Sequence, residues 1–307
     1  MNIETFSKPD FIGIGPPKTG TTWIYENLST HPQVAMPPDK EIRYFWERYF
    51  VGTLNLRELL SSDHWHVRGR RAFHKNRFRK HFSDLVTLKL NFKELRWDLN
   101  YLSGNRTDRW YASLFQQNVI SGDITAKYCE LPEDEIVKIS QVFPQLKIII
   151  TLRDPIEREW SRAKMNLSKK PGRQLPDVTH QEFISQFNDP PQKRSNDYAT
   201  LIDQWGKCFE KNQILVLFYD ELLENPFHYF SKLCDFLAIS GPDASAGKQL
   251  EKYVFKGVRG EVPPEFRDIL FNMHEEHILK LIDYYPSVDY PRNWLKKYQI
   301  TGGSAGS

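Results

Sequence analysis

The chain has 307 residues, of which 40% are hydrophobic and 14% aromatic, enough to bury one large core or one core that carries an insertion. A formal net charge of +3 is well below the basic excess of a dedicated nucleic-acid-binding protein, and three cysteines without a CxxC pair argue against a disulfide framework. Neither a long apolar run nor a signal-peptide pattern is found, so we expect a cytoplasmic protein with no nucleic-acid or membrane partner.

The first element along the chain is a short apolar strand. Asp10 to Gly15 reads DFIGIG and ends in glycine, and the composition from Gly20 to Leu28 suits a helix. The sequence therefore predicts a strand, a loop and a helix in this order, which is the opening of a βα unit.

Three later segments are also strand candidates: Asn118 to Thr125, Leu146 to Leu152 and Ile214 to Tyr219. Their nearly continuous apolar character is typical of parallel strands buried on both faces. A helix is predicted between the first two, from Glu133 to Val142. The pattern predicts an α/β protein with a single doubly wound parallel sheet and flanking helices.

The remaining elements complete one domain over residues 1–301. Asp154 and Pro155 read as the N-cap and first residue of a helix, and further helices are predicted over Tyr198 to Glu210, Pro226 to Leu237 and Glu265 to Tyr284. Residues 52–110 are less regular, and we interpret them as an insertion on the acceptor side of the sheet. Residues 302–307 read as a flexible tail.

The loop from Gly15 to Thr22 (GPPKTGTT) follows the first strand and precedes a helix. Free backbone amides and the helix dipole favour a bound anion there, and Lys18 adds a positive charge. An ordinary tight turn is the simpler alternative. A Walker A loop requires Gly-Lys-Ser/Thr, which is absent, so a P-loop kinase or NTPase is a weaker alternative.

The segment GPPKTGTTW resembles the 5′-phosphosulfate loop of sulfotransferases that use 3′-phosphoadenosine 5′-phosphosulfate (PAPS) and release PAP. LRDPIEREWS resembles the family's 3′-phosphate motif, and KGVRG resembles its late loop. The resemblance implies the P-loop-like sulfotransferase fold. It also implies a donor site, which comprises Pro17, Lys18, Thr19, Gly20, Thr21, Thr22, Trp23, Arg153, Ser161, Lys256, Gly257, Arg259 and Gly260.

Three residues are candidates for catalysis. Lys18 is suited to neutralising the leaving group, and Glu41 in DKEIRYFW resembles the base of the family's glycan-modifying branch. The alternative for Glu41 is an ion pair with Lys40 or Arg43. Asp123 is compatible with orienting Lys18, contacting the acceptor or capping a turn. Sulfuryl transfer needs less charge neutralisation than phosphoryl transfer, and we expect no metal.

The sequence thus predicts a sulfotransferase that acts on a hydroxyl or amine of a natural-product-like small molecule or a saccharide. The basic run from Arg68 to His81 contains seven Lys or Arg residues and no acid. It is compatible with an acceptor lid, a solvated surface or a polyanion-binding site, and a non-enzymatic polyanion binder is a further alternative.

Overall fold

The computed structural model describes residues 8–52, 65–87, 91–103, 105–168, 175–189, 195–242, 250–251 and 261–302. Within these ranges the strands are β1 (Phe11–Gly13), β2 (Gly122–Ile124), β3 (Lys147–Leu152) and β4 (Ile214–Phe218). All neighbours in the sheet are parallel, and the strand order is β2-β1-β3-β4. The predicted parallel α/β sheet is confirmed.

The helices of the described ranges flank this sheet. In chain order they are α1 (Thr21–Thr30), α2 (Tyr44–Phe50), α3 (Trp65–Val86), α4 (Phe92–Ser103), α5 (Asp108–Ala112), α6 (Glu133–Val142), α7 (Pro155–Leu167), α8 (His180–Phe187), α9 (Tyr198–Gly206), α10 (Tyr219–Glu224), α11 (Pro226–Leu237), α12 (Pro264–Tyr284) and α13 (Asp289–Gly302).

The sheet is buried on both faces, as the continuous apolar strands predicted. Ile12, Ile148 and Ile150 belong to one hydrophobic core. Phe11 and Ile149 belong to the core on the opposite face. Because successive side chains of a strand point to opposite faces, an apolar residue at every position fits a sheet that is covered on both sides.

The strand order creates a switch point between β1 and β3, since the chain continues from β1 to one side of the sheet and from β3 to the other. In open α/β sheets, ligands bind at the carboxyl ends of the strands at such a point. The loop after β1 and Arg153 after β3 both lie at this position.

The elements with clear boundary signals form as predicted. The side chain of Asp154 accepts hydrogen bonds from the amides of Ile156 and Glu157, so it caps α7, and Pro155 is the first helical residue. The second strand is shorter than predicted, and its predicted first residue, Asn118, has a φ of 60° in the left-handed region, which is incompatible with a strand.

The part of the predicted insertion that the structure describes is helical rather than irregular. It contains α3, α4 and α5; the strongly charged sequence of α3 lacks a clean apolar stripe, whereas α4 is amphipathic. Within the basic run, Arg77 and His81 both contact the buried carboxylate of Asp98, at 2.8 and 2.6 Å, and join α3 to α4. The side chains of residues 68–74 lie outside the described set.

Gly15 provides a test of how closely the loop after β1 must approach β3. A Cβ atom at this position would lie 1.9 Å from Oγ1 of Thr151 and 2.7 Å from its backbone nitrogen. Gly15→Ala should therefore lower the free energy of unfolding by about 1–3 kcal/mol. Urea denaturation measures the change.

The matched control is Gly206→Ala, because no atom lies within 4 Å of a Cβ atom built at Gly206. This variant should be unchanged or slightly more stable, since alanine restricts the unfolded chain. Equal stability of the two variants would contradict the close approach of Gly15.

Candidate active site

A cleft of about 260 Å³ opens at the switch point of the sheet. It brings together residues of the loop after β1, the segment before α2 and the ends of β3 and β4. Its lining residues are Pro17, Lys18, Gly20, Thr21, Thr22, Trp23, Glu26, Lys40, Glu41, Ala126, Arg153, Met165, Tyr219 and Leu222. The structure thus brings Lys18, Glu41 and Arg153 together, although they lie far apart in the sequence.

The loop between β1 and α1 has an unusual backbone. Lys18 has a φ of 78° and Gly20 a φ of 95°, both in the left-handed region. This conformation is costly for a lysine, and such strain persists only where the surrounding structure imposes it. Gly20 adopts it without a Cβ penalty and is followed directly by the first residue of α1, Thr21.

Two arginines of the β3–α7 region hold this loop in place. Nη1 of Arg153 donates to the carbonyl of Lys18, and Nη1 of Arg158 donates to the carbonyl of Pro17, each over 3.3 Å. These contacts occupy two carbonyl oxygens that would otherwise repel an anion bound at the loop. Anchoring by Arg158 was not anticipated from the sequence.

Arg158 is fully buried, and its Nε and Nη2 atoms, which do not contact the loop, also donate hydrogen bonds. Its Nε donates to Asn196 over 2.7 Å and its Nη2 to Glu159 over 2.6 Å. Burial alone would lower the pKa of this guanidinium, but the neighbouring carboxylate of Glu159 raises it. A buried charge with these partners forms a rigid support, and removal of one partner would be costly.

The three threonines of the loop have different environments. The hydroxyl of Thr19 is fully buried and donates to the carbonyl of Pro16 over 2.7 Å, while it also lies 2.6 Å from Oγ1 of Thr151. This side chain supports the loop from below and does not line the cleft. Thr21 and Thr22 do line the cleft.

Arg153 reaches the cleft with its guanidinium stacked 4.6 Å from the ring centroid of Tyr219. Its Nη2 contacts Glu157 at 3.0 Å, and its buried Nε has no acceptor among the described residues. Ser161 lies half-buried on α7 and is not among the residues that line the cleft. Lys256, Gly257, Arg259 and Gly260 lie outside the described residues.

Lys164 is a cation near the cleft that the sequence analysis missed. It is buried on α7, and its pKa is lowered first by burial and then by the charges of Arg153 and Lys18. It follows Trp160 by four residues on the buried face of the helix, and its ammonium lies 5.3 Å from that ring. A charged residue at an apolar position of the helical pattern is the signal that would have revealed it.

Glu41 lies opposite the loop and is held by two cations. Its Oε2 accepts from Nε of Arg43 over 3.2 Å, and its Oε1 lies 3.5 Å from the ammonium of Lys40. Burial alone would raise the pKa of Glu41, but Lys40 and Arg43 more than offset this effect, and the pKa lies below its ordinary value. The ion pairs considered as an alternative are present, and Glu41 also lines the cleft.

The backbone around Glu41 is strained and tied to the end of β2. Glu41 and Arg43 have φ values of 67° and 61°. The amides of Glu41 and Ile42 donate to Ile124 and to the carboxylate of Asp123, over 3.1 and 3.4 Å. The end of β2 therefore fixes the position from which the Glu41 side chain enters the cleft.

Asp123 lies beneath this segment and does not line the cleft. Its carboxylate is almost completely buried and also accepts hydrogen bonds from Thr125, Tyr111 and Tyr128, over 2.9, 3.2 and 2.7 Å. Burial raises the pKa of Asp123 to about 6, against the lowering effect of these donors. Of the three roles that the sequence allowed, the geometry is that of a residue that braces a turn.

Trp23 is largely a core residue. It is 4% exposed, and its ring makes edge contacts with Tyr229 and Phe230 at 5.5 and 5.9 Å. Its Nε1 donates to the carbonyl of Leu250 over 3.1 Å. Trp23 therefore lines the cleft while most of its ring is packed in the core.

The described residues contain no group of three or more His, Cys, Asp or Glu side chains that could hold a metal ion. Asp220, the second residue of α10, accepts a hydrogen bond from Nε1 of Trp294 over 3.0 Å. Lys127 pairs with Glu130 at 2.5 Å and lies over the ring of Trp46, so its ammonium is engaged outside the cleft.

Comparison with known proteins gives a consistent result. Residues 9–243 match the model of a family described as the sulfotransferase family. Carbohydrate sulfotransferase 15 of Rattus norvegicus is 25% identical over 270 residues, which cover 76% of this chain and 44% of that protein. The membrane-associated sulfotransferase kil1 of Dictyostelium discoideum is 28% identical over 154 residues, covering 50% of this chain and 22% of that protein.

The chain therefore spans less than half the length of these relatives. Among solved structures, a sulfotransferase from Alicyclobacillus acidocaldarius superposes with a TM-score of 0.56 at 18% identity, covering 93% of this chain and 99% of the other. A likeness at this level of identity supports the shared fold.

The relatives overturn one expectation. The prediction of a cytoplasmic location is wrong. It relied on finding no signal-peptide pattern and no long apolar run, whereas one relative is a membrane-associated sulfotransferase and others are carbohydrate sulfotransferases. As for the structure itself, none of the helices in the described ranges combines the length and apolarity needed to cross a bilayer.

The buried carboxyl of Asp123 predicts a pH dependence of stability. Its pKa of about 6 in the folded protein exceeds the ordinary value of 3.8. The stability contributed by its protonated form is thus complete below about pH 4 and is lost as the pH rises through about 6. Since Asp123→Asn cannot titrate, its stability relative to the parent should rise by about 2 kcal/mol between these limits.

Denaturant unfolding of both proteins at pH 4.5 and pH 7 measures this difference. Asp154, whose pKa is also raised by burial to about 6, titrates in both proteins and cancels in the comparison. A stability difference that is the same at both pH values would show that the Asp123 carboxyl ionises normally.

Proposed function

Because this chain belongs to the sulfotransferase family, we propose that it transfers a sulfuryl group from PAPS to a hydroxyl or amine and releases PAP. One observation carries the proposal: arginines from the β3–α7 region hold the carbonyls of Pro17 and Lys18, while the Lys18 side chain lines the adjoining cleft. A loop built in this way presents positive charge and free donors to an anion.

Donor binding is assigned to the cations around this loop. Lys18 and Arg153 line the cleft, and the buried Lys164 adds to their field. The buried Nε of Arg153, which finds no acceptor among the described residues, is a ready donor for a phosphate oxygen. The 5′-phosphosulfate would lie at the loop, and the 3′-phosphate would lie at Arg153.

Glu41 is assigned as the base. Its lowered pKa keeps the carboxylate ionised at neutral pH, so it is ready to accept a proton from the acceptor. The acceptor oxygen or nitrogen forms a bond to sulfur while the bond between sulfur and the bridging oxygen of PAPS breaks. Lys18 neutralises the charge that develops on the departing phosphate.

We propose a saccharide acceptor, which is supported by the names of the mammalian relatives and by a second cavity. This cavity of about 530 Å³ is lined by Tyr49, Phe50, Glu130 and Gln204, among others. The two rings are 42% and 45% exposed. Exposed aromatic faces beside hydrogen-bonding side chains suit a sugar, which has apolar and hydroxyl-bearing surfaces.

The second cavity lies at the end of the helix that follows the proposed base. The helix α2 begins three residues after Glu41 and ends at Phe50, which lines the cavity. Seven helical residues span about 10 Å. An acceptor of a few sugar units can therefore extend from the base to the exposed rings.

A pair of substitutions separates donor binding from chemistry. Lys18→Ala removes a donor-binding cation and should weaken PAP binding at least about tenfold and abolish transfer from radiolabelled PAPS. Glu41→Gln removes the base and keeps the donor-binding cations, so PAP should bind at least as tightly as in the parent while transfer falls at least about 100-fold. Calorimetry with PAP and incorporation of the label measure the two effects.

The control for Lys18→Ala is Lys138→Ala, since Lys138 lies on the surface in α6, outside the cleft, and forms ion pairs with Asp134 and Glu135. Parental protein that fails to bind PAP but is stabilised by Mg²⁺ and ATP would contradict the proposal in favour of a kinase. Full transfer by Glu41→Gln would reject Glu41 as the base.

The acceptor assignment predicts an effect on acceptor affinity alone. Tyr49→Ala should raise the KM for a saccharide acceptor by about five- to tenfold, because a stacking surface is lost, and should leave PAP affinity unchanged. Steady-state transfer assays measure the KM. Tyr284→Ala is the control, since Tyr284 is similarly exposed at 40% but lies outside this cavity. Equal KM values for the two variants would contradict the assignment.

A further inference from the structure

The ammonium of Lys40 lies between the donor loop and the base. Its Nζ donates to Oγ1 of Thr21 over 3.3 Å and lies 3.5 Å from Oε1 of Glu41. Thr21 is the first residue of α1, directly after the loop, and all three residues line the cleft. One cation thus contacts both the part of the site that would hold the donor and the group that would deprotonate the acceptor.

The two oxygens of Glu41 are held unequally. Oε2 has two contacts with Arg43, through Nε at 3.2 Å and Nη2 at 2.5 Å. Oε1 has the single, longer contact with Lys40. Because the Lys40 contact is long and partly exposed to solvent, it is the one that a stronger anionic partner would displace.

The other charged groups around Glu41 do not have this position. Lys18 and Arg153 line the cleft from the loop and from the end of β3, and Glu26 lines it from α1. Asp123 lies beneath the backbone of the segment, where its carboxylate is enclosed. Lys40 is therefore the cation within the described part of the cleft with recorded contacts to both Thr21 and Glu41.

We propose that Lys40 is a positioning residue that couples donor binding to the basicity of Glu41. An anion at the loop competes with Oε1 of Glu41 for the Lys40 ammonium. The carboxylate then keeps only Arg43 and becomes a stronger base at the moment when the donor is in place. Lys40 remains protonated throughout, and the acceptor proton passes to Glu41. This inference rests on the proposed function.

Coupling of this kind is reciprocal. If a bound anion weakens the contact between Lys40 and Glu41, removal of the Glu41 charge must strengthen anion binding through Lys40. A direct repulsion between Glu41 and the anion would also strengthen binding, but it would do so whether or not Lys40 is present. A double-mutant cycle separates these two causes.

The experiment measures PAP affinity by calorimetry in the parent, Glu41→Gln, Lys40→Met and the double variant. Glu41→Gln should tighten PAP binding about fivefold in the parent, and less than about twofold in the Lys40→Met background. Lys40→Arg keeps the charge and should restore the full effect of Glu41→Gln. Lys40→Gln, which is neutral but still able to donate to Thr21, repeats the test if Lys40→Met folds poorly.

The inference would be overturned if Glu41→Gln tightened PAP binding equally in the parent and in the Lys40→Met background. It would also be overturned if Glu41→Gln no longer tightened PAP binding in the Lys40→Arg background. In either case the parent still binds PAP, so the proposed function would stand. Absence of PAP binding by the parent would instead reject the proposed function itself.

The matched control is the ion pair between Lys207 and Glu133, which joins α9 to the start of α6 at 2.7 Å and lies outside the cleft. Lys207→Met and Glu133→Gln make the same chemical changes as Lys40→Met and Glu41→Gln, but at an ion pair outside the cleft. Neither substitution should change PAP affinity, and their double variant should show no coupling.

Discussion

The attachment of the loop after β1 to the start of α7 is the constraint on which the site depends. Arg153 and Arg158 hold consecutive carbonyls of this loop, and Lys18 is kept in a left-handed conformation between them. A free loop would relax such strain, so the two guanidinium contacts must persist for the cradle to exist. The sheet makes this possible because β1 and β3 are neighbours in it.

The acceptor side of the cleft depends on a second buried charge. Asp123 accepts hydrogen bonds from the amide of Ile42 and from three hydroxyl groups. The bond from Ile42 fixes the strained segment that carries Glu41 and Lys40. Donor and acceptor sides thus follow the same design, in which a buried charged residue braces a backbone segment and the functional side chain projects from it. Lys40 is the contact through which the two sides meet.

Much of this arrangement could be predicted from the sequence, but only where local signals are strong. The apolar strands, the Asp154 cap and the loop around Lys18 have patterns that depend on neighbouring residues alone. Arg158 and Lys40 could not be assigned in this way, because each acquires its role from a partner distant in sequence. Lys164 was missed although its place at an apolar position of the helical pattern marked it. The helix α3 was also missed, since its charged sequence shows no clean apolar face and its contacts to Asp98 of α4 are tertiary. The helix α4 has an amphipathic pattern that the sequence analysis overlooked.

The division of the cleft between two halves of the sheet has an evolutionary consequence. The proposed donor side is built from β1, β3 and α7, whereas the proposed acceptor side draws on β2, α2 and α9, and none of the described side chains lines both the cleft and the second cavity. Mutations around α2 can therefore alter which molecule is modified without disturbing the nucleotide cradle. Such a layout leaves acceptor specificity free to change while the proposed donor chemistry is retained.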